Sequence, residues 1–300
     1  MWIVKFRKFF YVLSGAIVLF SVASILVWGL NFGIDFNGGS IIEVKYTGEK
    51  PDIKYIEESL LKTNIGTPSI RNTGDNGLIV RTKHLSEGER QAVLSSLSLS
   101  GRYQMEEKRF DSVGPTLGDE IKQKSLLSVA LVILAIVIFI AFAFRKVSEP
   151  VSSWKYGVIA IVALIHDVLV PTGAFAILGH FAGAEVDALF VTALLVILGF
   201  SIHDTIVVFD RVRENLKINK ENHRKEDFAE LVGRSLSQTF ARSINTSLTT
   251  LLTLLALYVF GSETTKWFSL ALLIGITAGT YSSIFLASPL LVTVQKFTKN

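Results

Sequence analysis

Residues 186–214 read VDALFVTALLVILGFSIHDTIVVFDRVRE, an apolar run that carries a carboxylate, Asp204, and its neighbour His203 well before it meets the basic pair Arg211 and Arg213. A run of roughly 20 apolar residues crosses a bilayer as a helix. An ionisable side chain inside such a helix costs several kcal/mol, so it faces protein or a wet cavity and commonly marks an ion path. Asp210 fits the headgroup end of the helix. Asp204 lies about 9–10 Å further in, at 1.5 Å per residue.

The surrounding chain supports a membrane reading. Of its 300 residues 50% are hydrophobic and none is Cys, and the mean hydropathy is +0.46. Several other runs reach spanning length, which points to a polytopic membrane protein. Without Cys there are no disulfides, thiolate metal sites or cysteine nucleophiles. The formal charge of +4 comes from basic residues concentrated beside the spans, so no nucleic-acid partner is expected.

Six spans are expected. Lys5, Arg7 and Lys8 precede the first, from Phe9 to about Leu30, which is too long for a cleaved signal region. The others run over about 125–144, 156–178, the opening stretch, 243–260 and 267–294. Basic residues at the N-terminus, at Arg145-Lys146, through 211–242 and at Lys296 and Lys299 share one side, which puts both termini in the cytoplasm. Between the first two spans, the polar residues 31–124 show alternation, helical spacing, a Gly74-Asp75-Asn76-Gly77 turn and a Ser86/Glu89 capping box, in the order β-α-β-β-α-β. That order suits a ferredoxin-like unit. The expected architecture is an α-helical polytopic membrane protein with six transmembrane helices and an external α/β ferredoxin-like domain between helices 1 and 2. Its parts are residues 1–30, 31–124 and 125–300, with a cytoplasmic loop at 211–242.

Polar groups recur inside the spans. Arg242, Thr246, Thr249 and Thr253 share one face of the fifth. Asp204 and Arg242 can set each other's state, because burial favours a neutral acid and a close guanidinium favours the carboxylate. The tripeptide Ile-His-Asp occurs at 165–167 and again at 202–204, so His166, Asp167 and His203 join the candidate proton pathway with Asp204, Arg242 and Thr246. Adjacent residues diverge by about 100° on a helix, a poor chelate, and no metal is expected. Gly275 and Gly279 belong to a small-residue stripe suited to close helix packing. There is no phosphate loop, His-Glu-x-x-His or G-x-S-x-G pattern. No enzyme and no cofactor are expected; the membrane gradient is the available energy.

Gly33-Ile34-Asp35-Phe36-Asn37-Gly38-Gly39, Val113-Gly114-Pro115-Thr116-Leu117-Gly118 and the segment 201–215 together resemble the SecF family, the smaller subunits of the SecD–SecF protein-export complex in the resistance–nodulation–division superfamily. The resemblance covers essentially the whole chain and implies a bacterial inner-membrane protein. It implies pairing with SecD beside the SecY/SecE/SecG translocon, and proton flow that helps preproteins leave on the outer side. The family's intramembrane Asp falls on Asp204 and its essential Arg on Arg242, while Asn37 stands where Thr is usual and His203 where Asn is common. Asp35, Gly38, Gly39, Gly114 and Pro115 are the motif residues near the joints of the external domain, which is expected to move as a nearly rigid unit. The alternatives are a small-molecule or lipid exporter half of the same superfamily and a non-conducting translocon scaffold. Partners beyond SecD are the translocon, preproteins and membrane lipid.

Overall fold

A backbone in hydrocarbon must satisfy its own hydrogen bonds, so long apolar runs fold as helices. The computed structural model describes residues 2–63, 65–143 and 152–299. A short helix α1 (Trp2–Lys5) precedes α2 (Arg7–Trp28), and a one-turn helix α3 (Ile34–Asn37) leads into β1 (Gly39–Tyr46). There follow α4 (Ile53–Leu61), β2 (Ser69–Thr73), β3 (Gly77–Thr82), α5 (Glu87–Leu97) and β4 (Met105–Val113). The long helices are α6 (Pro115–Ala143), α7 (Ser153–Ala182), α8 (Ala188–Glu221), α9 (Phe228–Phe260) and α10 (Glu263–Ser282), and a π-helical turn at Ser283–Ala287 joins α10 to α11 (Ser288–Lys299). Among the described residues, six helices are long and apolar enough to cross a membrane: α2, α6, α7, α8, α9 and the continuous α10–α11. The protein is therefore a multi-pass membrane protein with a small antiparallel sheet domain. Arg145 and Lys146, used above for orientation, lie outside the described residues.

The chain forms two compact units, one of residues 32–126 and one of the residues before and after. In the 32–126 unit the sheet order is β2-β3-β1-β4 with antiparallel neighbours, the ferredoxin-like arrangement. Alternation along the strands sends Ile42, Val44, Tyr46, Leu78 and Val80 to one face, where Ile56 and Leu60 of α4 and Val93 and Leu97 of α5 cover them. Each such side chain contributes about 1.5–3 kcal/mol of burial. Tyr46 is also buried, and its hydroxyl, pushed up to about 12 by burial, donates to the Leu97 carbonyl at 2.9 Å. The Gly38-Gly39 pair takes φ of +71° and +127°, and a Cβ on Gly39 would stand 2.8 Å from the Thr82 carbonyl oxygen. Gly118 packs against the same turn, since a Cβ there would meet Phe36 O and Gly38 N at 3.0 Å. Thus the two glycine motifs stack on each other inside this unit. Pro115 opens α6, where its missing N–H costs nothing; Gly114 stands in open space.

One expectation fails. The segment 211–242, read as a loop, is helical over most of its length, because α8 runs on to Glu221 and α9 begins at Phe228. Charges ended the apolar run but not the helix. Arg213–Asp210 and Arg211–Glu214 pair at i,i+3, buried Asn215 donates to Ser235 at 2.8 Å across the hairpin, and Asp227 caps α9 through the Ala229 N–H. Arg234 beside Glu226 holds that carboxyl below the usual carboxylate range. The N-terminal α1 had no forecast either; its Ile3 and Val4 are buried against Val208, Leu236 and Ile284 and the larger helical core.

The capping box of α5 gives a local test. Ser86→Ala removes the bond to the Glu89 N–H and should cost about 1 kcal/mol, read as faster hydrogen exchange of α5 amides in the detergent-solubilised chain. Glu89 is held at about 2 by the Ser86 backbone N–H, then by Lys83 and the Ser86 hydroxyl. A depressed carboxyl stabilises the fold above its unfolded pKa of about 4.3. The α5 protection should therefore be full at neutral pH and decline as pH falls from about 4.3 toward 2.

Candidate functional site

Helices α7, α8 and α10 meet at two close contacts. A Cβ on Gly275 would collide with Ile197 of α8, and one on Gly279 would stand 2.9 Å from Ser201 Cβ. The small residues of α10 thereby bring its backbone against α8. Into this contact α7 sends Asp167, which is fully buried. One of its carboxylate oxygens faces His166 Nδ1 at 2.9 Å, and the other accepts from Ser201 of α8 and from Ser282 of α10, the latter at 2.9 Å. Three helices are thus tied to one acid. The network continues through Ser283, whose hydroxyl is 2.8 Å from Thr205 Oγ1 and bonds to the Gly279 carbonyl at 2.9 Å. The π-helical turn begins at that residue, and Ser288 returns its hydroxyl to the Ser283 carbonyl at 2.7 Å. Pro171, four residues after Asp167 in α7, supplies no N–H to the Asp167 carbonyl. His166 stacks on Tyr281 with ring centroids 5.8 Å apart, and its Nε2 is buried without a partner.

Asp204 sits in a different setting. It is 5% exposed, and the Ser243 hydroxyl of α9 comes up beside it without closing a hydrogen bond. Asp204 Oδ2 and Ser243 Oγ are both buried and both unpartnered. Arg242 does not reach Asp204; no ion pair joins them. Instead Arg242 is exposed and lines a groove of about 280 Å³ between α8 and α9, with Asp210, Arg211 and Glu214. His203 and Thr246 are also exposed. The threonine stripe of α9 satisfies itself: Thr249 and Thr250 donate to the Thr246 carbonyl at 2.9 and 3.0 Å, and Thr253 to that of Thr249 at 3.1 Å.

The fold therefore gathers His166 and Asp167 into one network, puts Asp204 alone against α9, and leaves His203, Arg242 and Thr246 on the outer surface of the chain. Sequence reasoning missed Ser201, Ser243 and Ser282, which carry no periodic signal of their own, and read Ser283 only as the end of the small-residue stripe of Ala271, Gly275 and Gly279. No group of three or more His, Cys, Asp or Glu residues suited to a metal occurs among the described residues.

Comparison with known proteins places this arrangement in a family. Residues 93–297 match the family described as protein export membrane protein SecD/SecF, C-terminal, and residues 23–49 match the SecD/SecF GG motif, which includes Gly38 and Gly39. The chain belongs to the SecF family of protein-export membrane proteins. The protein translocase subunit SecF of Thermobaculum terrenum is 46% identical over 97% of this chain and 93% of its own length. That of Anaerolinea thermophila is 41% identical over 95% and 91%. Among solved structures, SecDF of Thermus thermophilus, a translocon-associated membrane protein, superposes with a TM-score of 0.82 at 29% identity over 99% of this chain. SecDF in a super-membrane-facing form gives 0.69 at 30% identity. This SecF-family chain spans 38% of the former SecDF chain and 39% of the latter.

The two acids should behave oppositely in stability. Asp167→Leu strands the donors of His166, Ser201 and Ser282, at about 1–3 kcal/mol each, and should lower the unfolding temperature in detergent clearly. Asp204→Leu breaks no made bond at Oδ2 and should leave that temperature near wild type. Tryptophan fluorescence on heating compares them; equal losses would contradict the assignment.

Proposed function

We propose that this SecF-family chain couples proton entry to protein export, with Asp204 as the proton carrier and Arg242 as its electrostatic partner. The observation that carries the reading is the buried, unpartnered carboxyl oxygen of Asp204 in a spanning helix, beside Ser243, whose neighbour along α9 is the permanent cation Arg242. A carboxyl group fully enclosed by donors, as Asp167 is, has no reason to exchange its proton; one with a free oxygen does. With Arg242 turned away, burial favours the protonated acid; with Arg242 brought near, the carboxylate is favoured. A proton crossing the membrane releases about 2.3 kcal/mol per 100 mV and about 1.4 kcal/mol per pH unit, so a few protons suffice for a mechanical step.

The partner on this reading is SecD, supported by the family match and by the length of SecDF that this chain leaves uncovered. The pair would serve preproteins at the SecY/SecE/SecG translocon of the bacterial inner membrane, with both termini cytoplasmic and residues 31–124 outside, an orientation supported by the basic residues at the cytoplasmic ends of the spans.

Gradient-driven preprotein export in vesicles carrying SecD tests the carrier. Asp204→Asn is nearly isosteric with the protonated acid and should abolish the gradient-dependent component while leaving complex levels normal. Arg242→Lys should retain part of it, since a point charge replaces a planar fork. Wild-type export by Asp204→Asn would leave a non-conducting scaffold as the role of the chain. Orientation is read separately: a single cysteine at Ser95 in this Cys-free chain should react with an impermeant thiol probe from outside only.

A further inference from the structure

The α8–α9 hairpin has a fixed register. Asn215 donates to Ser235 at 2.8 Å and Arg211 to Gln238 at 2.7 Å, so each turn back along α8 is matched by a turn forward along α9. Extended further, this ladder brings Asp204 level with the turn that holds Ser243, where the two side chains stand side by side. Each is more than nine-tenths buried, and each leaves a polar oxygen without a partner. Two orphan oxygens facing each other in a helix interface are costly, because each forgoes its hydrogen bonds with water. Packing alone gives no reason for a serine here, since alanine would fill the same helix position without the orphan.

The groove between the same helices supplies a reason. Its walls include Val207 and Thr239, which stand one helical turn from Asp204 and Ser243, and its mouth carries Asp210, Arg211, Glu214 and Arg242. Its volume, about 280 Å³, accommodates several waters at roughly 30 Å³ each. The charged groups at its mouth can hydrogen-bond water, whereas the apolar outer surfaces of the helices cannot.

We propose that Ser243 is the proton-relaying residue between groove water and Asp204. A protonated water in the groove gives a proton to Ser243 Oγ as the serine O–H proton passes to Asp204 Oδ2. One O–H bond breaks at the water and one at the serine, one forms at the serine and one at the carboxyl, and the hydroxyl is regenerated. Discharge into the groove runs the same steps in reverse. Arg242, on the next residue, sets the potential at the point where the proton enters. This inference rests on the proton-carrier reading of Asp204 and adds the residue that connects the carrier to water.

The test is proton entry into proteoliposomes containing the chain with SecD, followed by an interior pH dye under an imposed potential, with gradient-driven export measured in parallel. Ser243→Ala should slow proton entry about a hundredfold, the lower end of the range for one proton-transfer group, at normal complex levels. Ser243→Thr, which keeps the hydroxyl, should restore most of it. Wild-type rates in Ser243→Ala overturn the relay. Equal losses in Ser243→Ala and Ser243→Thr also overturn it, because they assign the serine to packing. Asp204→Asn in the same assay separates the two readings: an inactive Asp204→Asn beside a fully active Ser243→Ala removes the relay alone, and an active Asp204→Asn removes the carrier as well.

Discussion

A carboxylate at mid-membrane depth cannot be left to hydrocarbon, and the packing of α7, α8 and α10 is arranged around giving one its hydrogen bonds. Asp167 needs donors on short stems, since a long side chain would hold the helices apart. Ser201 and Ser282 provide them, and they reach only because Gly275 and Gly279 let the α10 backbone lie against α8. The π-helical turn at Ser283–Ala287 begins at the residue after Ser282. A π turn leaves the regular carbonyl ladder out of step, and the Ser288 hydroxyl returns to the Ser283 carbonyl to satisfy it. Acid, serines, glycines and π turn form one solution to a single desolvation problem.

The same tripeptide, Ile-His-Asp, occurs in α7 and α8 with opposite results. In α7 the imidazole is buried, stacked on Tyr281 and bonded to its neighbouring Asp. In α8 the imidazole points outward and the Asp retains a free oxygen. Identical local sequence thus yields one structural acid and one available acid, and the difference lies entirely in what the neighbouring helices offer. Three donors converge on Asp167; a single hydroxyl approaches Asp204 and stops short.

This also explains what the sequence could show. The spans were legible because hydrocarbon imposes a length and an apolar composition that few other structures share. The domain of residues 32–126 was legible because a half-buried sheet imposes alternation, and its turn and capping box are local chemistry. The serine network was not, since a serine in a spanning helix has the same appearance whether it binds a distant acid or its own backbone. The stripe from Arg242 to Thr253 shows the converse: it looked like a polar seam awaiting partners, and its threonines bond to carbonyls of their own helix. The end of the apolar run at Asp210 was legible, but a helix ends where its backbone loses partners, and Arg211–Glu214, Asn215–Ser235 and the Asp227 cap extend that point beyond the membrane segment.

Ser243 and Arg242 occupy consecutive residues of α9 and therefore different faces of it. Neighbouring side chains on a helix differ by about 100° in direction, so whichever of the two faces Asp204, the other faces away. Within this chain 11% of the spanning window of α9 is buried, against 50% for α7 and α8 and 67% for α10–α11, so most of its membrane surface is left to lipid or to another chain. Leu248, Leu252, Leu255 and Val259 form that outer face, while Ser243 and Ser247 are buried on the side turned toward the rest of the chain. Helices α7 and α8 carry the acids, and α9 carries both the hydroxyl that stands beside Asp204 and the cation of the adjacent groove.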